Sequence, residues 1–361
     1  MENRSYAAAG VVLAGIALAA AALPWDAVGV GPVENALLAA FGAAAFGAFA
    51  LRRHGLVERA PGALAAGVAS LAVVGTATAT SGALAGDASS LGVTLALVGG
   101  VGGVIAAYGD GKGLPSRASE GLRAFFRSLA IGLSGLFAIA VWTTIVVSVY
   151  AAVAPGEVTQ VHSVAIGALA LGLGTGTVAL AYFRLTDKGL SYLDLRWPTL
   201  ADLGWTVAGI LGLLGLQVLL GILFQQLGIS SAQHSVEQAA RSGDPTILLW
   251  LIPAAWLIIG PGEELLYRNI IQKSLYDTFS KRSAVVVGSV VFAIAHFPAY
   301  YSPNLGATLL TLGVVFGLSL ILGATYLRTG NIVVPTLIHG AFDAITFAAL
   351  YFQITGGVPG A

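Results

Sequence analysis

Long apolar runs separated by short polar connections dominate the chain. A helix needs about 20 apolar residues to cross the hydrocarbon layer of a bilayer. Runs of this kind fall near residues 6–24, 34–51, 62–84, 90–108, 128–153, 161–183, 203–224, 246–272, 284–297, 305–327 and 331–352. They predict an all-α, polytopic transmembrane helical bundle of about eleven spans. The ninth run, AVVVGSVVFAIAHF, is short for a full crossing. The polar stretch SSAQHSVEQAARSGDP, between the seventh and eighth runs, predicts a short surface helix.

The connections carry an orientation, because short cytoplasmic loops retain Lys and Arg. With the N-terminus inside, 16 of the 17 basic residues fall on the cytoplasmic side. They are Arg4, Arg52, Arg53, Arg59, Lys112, Arg117, Arg123, Arg127, Arg184, Lys188, Arg196, Arg268, Lys273, Lys281, Arg282 and Arg328, and Arg241 is the exception. A long cytoplasmic connection is residues 184–202, RLTDKGLSYLDLRWPTLAD. A retained first span is more economical than a cleaved signal peptide, since further spans follow it.

Composition agrees with this pattern. Of the 361 residues, 57% are hydrophobic and 9% charged, and mean hydropathy is +0.87, whereas a soluble domain carries about a quarter charged residues. The expectation is an integral, multi-pass protein of the cell membrane with lipid as its surroundings. There is no cysteine, which excludes a disulfide framework, a thiolate nucleophile and a thiolate metal site. Formal net charge is zero and no basic tract occurs, so nucleic acid is not an expected partner.

Residues 1–110 form Ala/Gly-rich spans without a recognisable motif, and small residues let helices pack closely in lipid. Ionisable groups within spans concentrate in the last third: Glu263, Glu264, His296, His339 and Asp343. Such groups cost about 2.5–3.5 kcal/mol each on insertion scales and mark functional paths. In GPGEELLYRN, Glu264 and Arg268 lie four apart on one helix face with the acid first, the favourable order for an ion pair. Glu263 is turned by roughly 100° and shares its face with Tyr267, which leaves it free to act as a general base on water. The bland alternative is that both glutamates pair with Arg268 or with cytoplasmic lysines. Pro261 between two glycines is expected to kink or loosen this helix just before the acids. Phe292 and His296 in FAIAHF, and His339 and Asp343 in HGAFD, are likewise i and i+4 pairs.

Depth gives an independent check. At a rise of 1.5 Å per residue, Glu263, His296 and His339 lie about 15, 18 and 12 Å from the inner boundary, close enough to a common plane to converge. His54, His162 and His234 fall in predicted loops and are expected to be solvated and without a role.

The motifs EELLYR, FAIAH and HGAFD, in this order on successive membrane helices, resemble the EExxxR, FxxxH and Hxxx(N/D) motifs of the CAAX prenyl protease and bacteriocin-processing family, also called Abi or CPBP intramembrane proteases. RTGNIVVPTLIH resembles the lead into the third motif. The resemblance covers residues 245–352 firmly and 122–352 loosely, so the expected division is an N-terminal helical segment, 1–110, and a protease domain, 122–352. It implies that Glu263 and His296 activate a hydrolytic water, that His339 and Asp343 stabilise the oxyanion or bind a metal, and that Glu264 and Arg268 are a supporting pair. The implied substrate is a membrane-anchored, prenylated or otherwise lipidated protein or a small peptide. Asp343 departs from the family's usual asparagine. An amide donates to an oxyanion and an ionised carboxylate does not, so Asp343 must be protonated, orient His339 or bind a metal. Glu263, His296, His339 and Asp343 as ligands suit a catalytic Zn2+ with an open position, yet there is no HExxH and the ligands come from three helices. Metal-dependent and metal-independent chemistry both stay open at this point. From other classes, buried Glu, His and Asp also suit a proton-coupled transporter, and a catalytically idle scaffold is a third reading.

Overall fold

The computed structural model describes residues 4–21, 32–83, 91–154, 156–302 and 304–356, and these are helical apart from their connections. Among the described residues each predicted apolar run falls on a helix. The helices are α1 (Ser5–Ala21), α2 (Pro32–His54), α3 (Arg59–Ala83), α4 (Leu91–Lys112), α5 (Ser116–Val153), α6 (Gln160–Leu185) and α7 (Leu200–Leu227), followed by the polar α8 (Ser235–Ser242). Then come α9 (Ile247–Leu275), α10 (Lys281–Ala295), α11 (Leu305–Thr329) and α12 (Val333–Thr355). Among the described residues nine helices are long and apolar enough to cross a membrane. The two shorter ones are α1, with 17 residues, and α10, with 15. The chain is thus an all-α integral membrane protein, with fewer full-length spans than the eleven runs suggest.

The helices form two compact units, Met1–Ser119 with Ser302–Gly306, and Glu120–Tyr301 with Ala307–Ala361. In the first, α1 packs on α2 and α4, and α3 packs on α2 and α4. Glycine is required where these backbones meet. A Cβ on Gly99 would lie 2.5 Å from the Leu13 carbonyl oxygen and 2.6 Å from the Ala17 nitrogen. Arg52 and Asp110, expected in loops, are instead buried at helix ends, with Arg52 Nε donating to Asp110 Oδ2 at 2.8 Å. Pairing answers the cost of burying either charge.

The second unit holds every candidate residue. Thr199 caps α7 through a reciprocal box with Asp202, and Gly228, at φ 63°, ends that helix in the left-handed region that glycine favours. The connection 186–199 is tied down at the bases of α9 and α11. Lys273 Nζ donates to the Tyr192 carbonyl at 2.7 Å and to Asp194 Oδ1 at 2.8 Å, and the Tyr326 hydroxyl donates to Asp194 Oδ2 at 2.5 Å.

Helix α9 is irregular in a way that no apolar pattern announces. Its central α turn, Gly260–Glu264, lies between two π-helical stretches, Ala255–Ile259 and Leu265–Gln272. The Gly260 N–H bonds to the Ala255 carbonyl and the Lys273 N–H to the Arg268 carbonyl, both five residues back. The loosening expected at Pro261 thus takes the form of wide turns on both sides of the acids. Pro253 and Pro261, which lack an N–H donor, lie at and before these transitions. Against this turn packs α12. A Cβ on Gly260 would lie 3.1 Å from the Thr336 carbonyl oxygen and 3.2 Å from the Gly340 nitrogen; one on Gly340 would lie 3.2 Å from Trp256 Cα. The glycines of GPGEE and HGAFD thus bring two helices into backbone contact just where both carry ionisable side chains.

Candidate active site

Glu264 and Arg268 are fully buried, and Arg268 Nε donates to Glu264 Oε2 at 2.9 Å. The i,i+4 spacing makes this pair even though the backbone widens between them. Arg268 Nη1 also donates to Ser319 Oγ on α11 at 2.9 Å. The other Glu264 oxygen, Oε1, accepts from His339 Nδ1 at 2.9 Å. One carboxylate therefore serves two cationic or donor groups from two helices, and it orients the histidine ring as well as stiffening α9. His339 Nε2 then faces Asp343 Oδ2, one turn along α12, at 3.5 Å.

His296 ends α10. Its Nδ1 lies 2.8 Å from the Phe292 carbonyl oxygen, so in the neutral ring the proton sits on Nδ1 and the lone pair on Nε2. That lone pair faces Glu263 Oε2 at 3.6 Å, longer than a hydrogen bond. Glu263 Oε2 is buried and has no hydrogen-bond partner. Phe292 supplies the floor beneath His296. Its ring lies 4.1 Å from the imidazole and 4.8 Å, edge-on, from Tyr267, and the Arg268 guanidinium lies 4.9 Å from it on the interior side.

The structure brings Glu263, His296, His339, Asp343 and Phe292 to the wall of one cavity of about 720 Å³. Glu264 and Arg268 stand behind that wall. Two further residues belong to the cavity that helix spacing did not single out, His234 and Tyr300. His234, expected to be solvated, is half-buried; its Nδ1 accepts from the Val236 N–H at 3.0 Å, and it caps α8. Its ring packs edge-on against Tyr300 at 4.8 Å. Burial, with His296 adding to it, lowers its pKa to about 4, so the ring is neutral near pH 7. The position just before the polar helix was the signal for its capping role. His162 is also not free: it closes the capping box of α6 and meets the Tyr150 hydroxyl at 3.0 Å. His54 is exposed.

The metal alternative is tested by how the donors converge. His296 with Glu263, and His339 with Asp343, are each spaced so that two atoms could share an ion. Among the described residues no three His, Asp or Glu side chains form a group suited to a metal ion. His339 Nδ1 bonds to Glu264, which leaves Nε2 as the ring nitrogen turned toward Asp343 and the cavity. A catalytic zinc takes three protein ligands and a water, which this arrangement does not offer.

Residues 245–345 match the model of a protein family described as type II CAAX prenyl endopeptidase, Rce1-like. No curated protein and no solved structure matches the chain. Glu263, Glu264, Arg268, Phe292, His296, His339 and Asp343 all lie inside the matched residues. The likeness carried by the three motifs thus extends to the segment that contains them: residues 245–345 are similar to the type II CAAX prenyl endopeptidase, Rce1-like, family.

Proposed function

We propose that this protein is an intramembrane endopeptidase, hydrolysing a peptide bond in a membrane-anchored polypeptide, and that it works in the cell membrane. One observation carries the reading: a buried carboxylate oxygen without a partner, Glu263 Oε2, opposite the lone pair of an imidazole whose tautomer is fixed. Glu263 and His296 both line the cavity, and a water there within reach of the carboxylate and of Nε2 is the nucleophile that a hydrolase needs.

In the proposed reaction Glu263 takes a proton from that water as its oxygen attacks the scissile carbonyl, while His296 Nε2 holds the second hydrogen. The same carboxyl then returns the proton to the departing amine. Asp343 in its protonated form is the donor to the developing oxyanion, and this answers the substitution of aspartate for the family's usual asparagine: a protonated carboxyl donates and a carboxylate does not. The Arg268–Glu264 pair keeps His339 in place. No step passes through a metal.

The test is cleavage of membrane-anchored and lipidated peptides by reconstituted protein. Glu263→Gln is expected to lower kcat by at least about 100-fold, the usual worth of a general base. Wild-type protein that cleaves none of them, yet takes up solute in a proton-driven, Glu263-dependent manner, is a transporter. Activity that disappears on chelation and returns with zinc would restore the metal reading.

A further inference from the structure

The cavity has a direction. Its polar rim is built by Gln160, Ser231, Ser235 and Glu237, from the start of α6 and the segment that includes α8. The opposite ends of the same helices, where the connections 186–199, 276–280 and 330–332 run, contribute nothing to it. Depth increases from the rim past His234 and Tyr300 to Glu263, His296 and His339, and the floor is closed by buried Leu213 and Leu322.

Charge separates along the same axis. Within this unit, Arg123, Arg127, Arg184, Lys188, Arg196, Lys273, Lys281, Arg282 and Arg328 lie at or near the helix ends away from the rim. The rim end has one basic residue, Arg241, and it is paired with Glu237 at 2.9 Å. Glu157 and Asp244 lie at that end as well. Lys and Arg in short connections mark the cytoplasmic face, and Asp and Glu count for little. The basic end is therefore cytoplasmic, and the rim faces the other way.

The walls say what enters. Between rim and floor, α6 and α7 present mostly apolar side chains, among them Leu171, Leu220 and Phe224. Helix α6 packs on α9, and α7 packs on α12, so the two walls belong to different sides of the site. An apolar segment fits between them with a polar continuation at the rim.

We propose that the active-site cavity is entered from the extracytoplasmic side, and that its substrate is a membrane-anchored polypeptide presenting the scissile bond there rather than a C-terminus exposed to the cytoplasm. The substrate half of this inference rests on the hydrolytic reading above. The access half rests on the cavity and the charges alone.

The absence of native cysteine makes a clean test. Ser231→Cys on the rim and Ser191→Cys at the opposite end, both exposed in the structure, are each treated in sealed right-side-out vesicles with a membrane-impermeant maleimide. The expected result is labelling at 231 and none at 191 until the vesicles are lysed. The reverse pattern overturns the proposal, whether or not the protein has protease activity. Orientation established in this way then allows a tethered peptide to be presented on one face at a time to active protein. Cleavage confined to the rim face supports the substrate half, and cleavage confined to the basic face overturns it. Loss of all cleavage with the expected labelling refutes the protease reading and leaves the access side supported.

Discussion

At the scale of single residues, the two adjacent glutamates differ in what they are bound to. Glu264 has a partner on each oxygen, whereas Glu263 Oε2 has none. Removing one member of a buried ion pair costs about 3–5 kcal/mol, because the other is left uncompensated. Arg268→Ala is therefore expected to lower the unfolding midpoint in detergent markedly. Glu263→Gln is expected to leave stability unchanged or slightly raised while abolishing cleavage, since it relieves an unpartnered buried carboxylate. Equal loss of stability in both variants would remove the distinction drawn between them. His234 offers a second measurement. Its pKa is 6.5 in an unfolded chain and about 4 in the folded protein, so below pH 6.5 the unfolded state binds the proton first. Its contribution to stability is whole above pH 6.5 and is lost as pH falls towards 4. His234→Asn keeps a good helix cap and has no proton to gain. Unfolding midpoints of the two proteins are expected to agree above pH 7 and to separate between pH 6.5 and 4, with the wild type falling further. The local pair Glu264–Arg268 was legible from spacing alone. The second partner of Glu264 was not, since His339 lies 75 positions on and periodicity says nothing about which helices become neighbours.

At the scale of elements, the apolar runs named each membrane helix because a long uncharged stretch has few other options in lipid. The inner geometry of α9 was not legible. A π stretch rotates everything beyond it by the angle of one residue, about 100°, and hydropathy is too coarse to register that. What the sequence does carry is the pair of glycines that lets α9 meet α12. Gly340→Val places branched carbon where the Ala255 carbonyl oxygen is 3.0 Å and Trp256 Cα 3.2 Å from a Cβ. The obstacles are backbone atoms, so the helices must part. A destabilisation of about 1–3 kcal/mol is expected, together with a larger loss of cleavage, because parting the helices breaks the Glu264–His339 bond. Gly215→Ala on α7 is the control. Its Cβ meets nothing within 4 Å, and it is expected to be neutral or stabilising by about 0.5–1 kcal/mol. If Gly340→Val were as mild as this control, close approach of the two helices would not be what holds the site together.

At the scale of the whole molecule, the division of labour is the open physical question. Among the described residues the first unit is held by small residues in contact and by the buried ion pair of Arg52 with Asp110, and none of them lines the cavity. All side chains lining the cavity, and the Arg268–Glu264 pair behind it, come from the second unit. Its apolar clusters are also its own: one centred on Leu266, Ile271 and Val291, another on Leu213, Val334 and Ile338, and a third in which Ala240 of α8 joins Ile247, Leu248 and Leu251. A chain beginning at Ser116 therefore keeps each interaction that positions Glu263, His296, His339 and Asp343. It is expected to insert, to fold and to cleave peptide with a kcat within about an order of magnitude of the full chain, since each group that lowers the barrier is retained. Detergent-solubilised protein assayed for cleavage and for cooperative unfolding checks this. A shortened chain that unfolds cooperatively yet has lost all activity would assign α1–α4 a part in catalysis or substrate delivery that none of their side chains suggests.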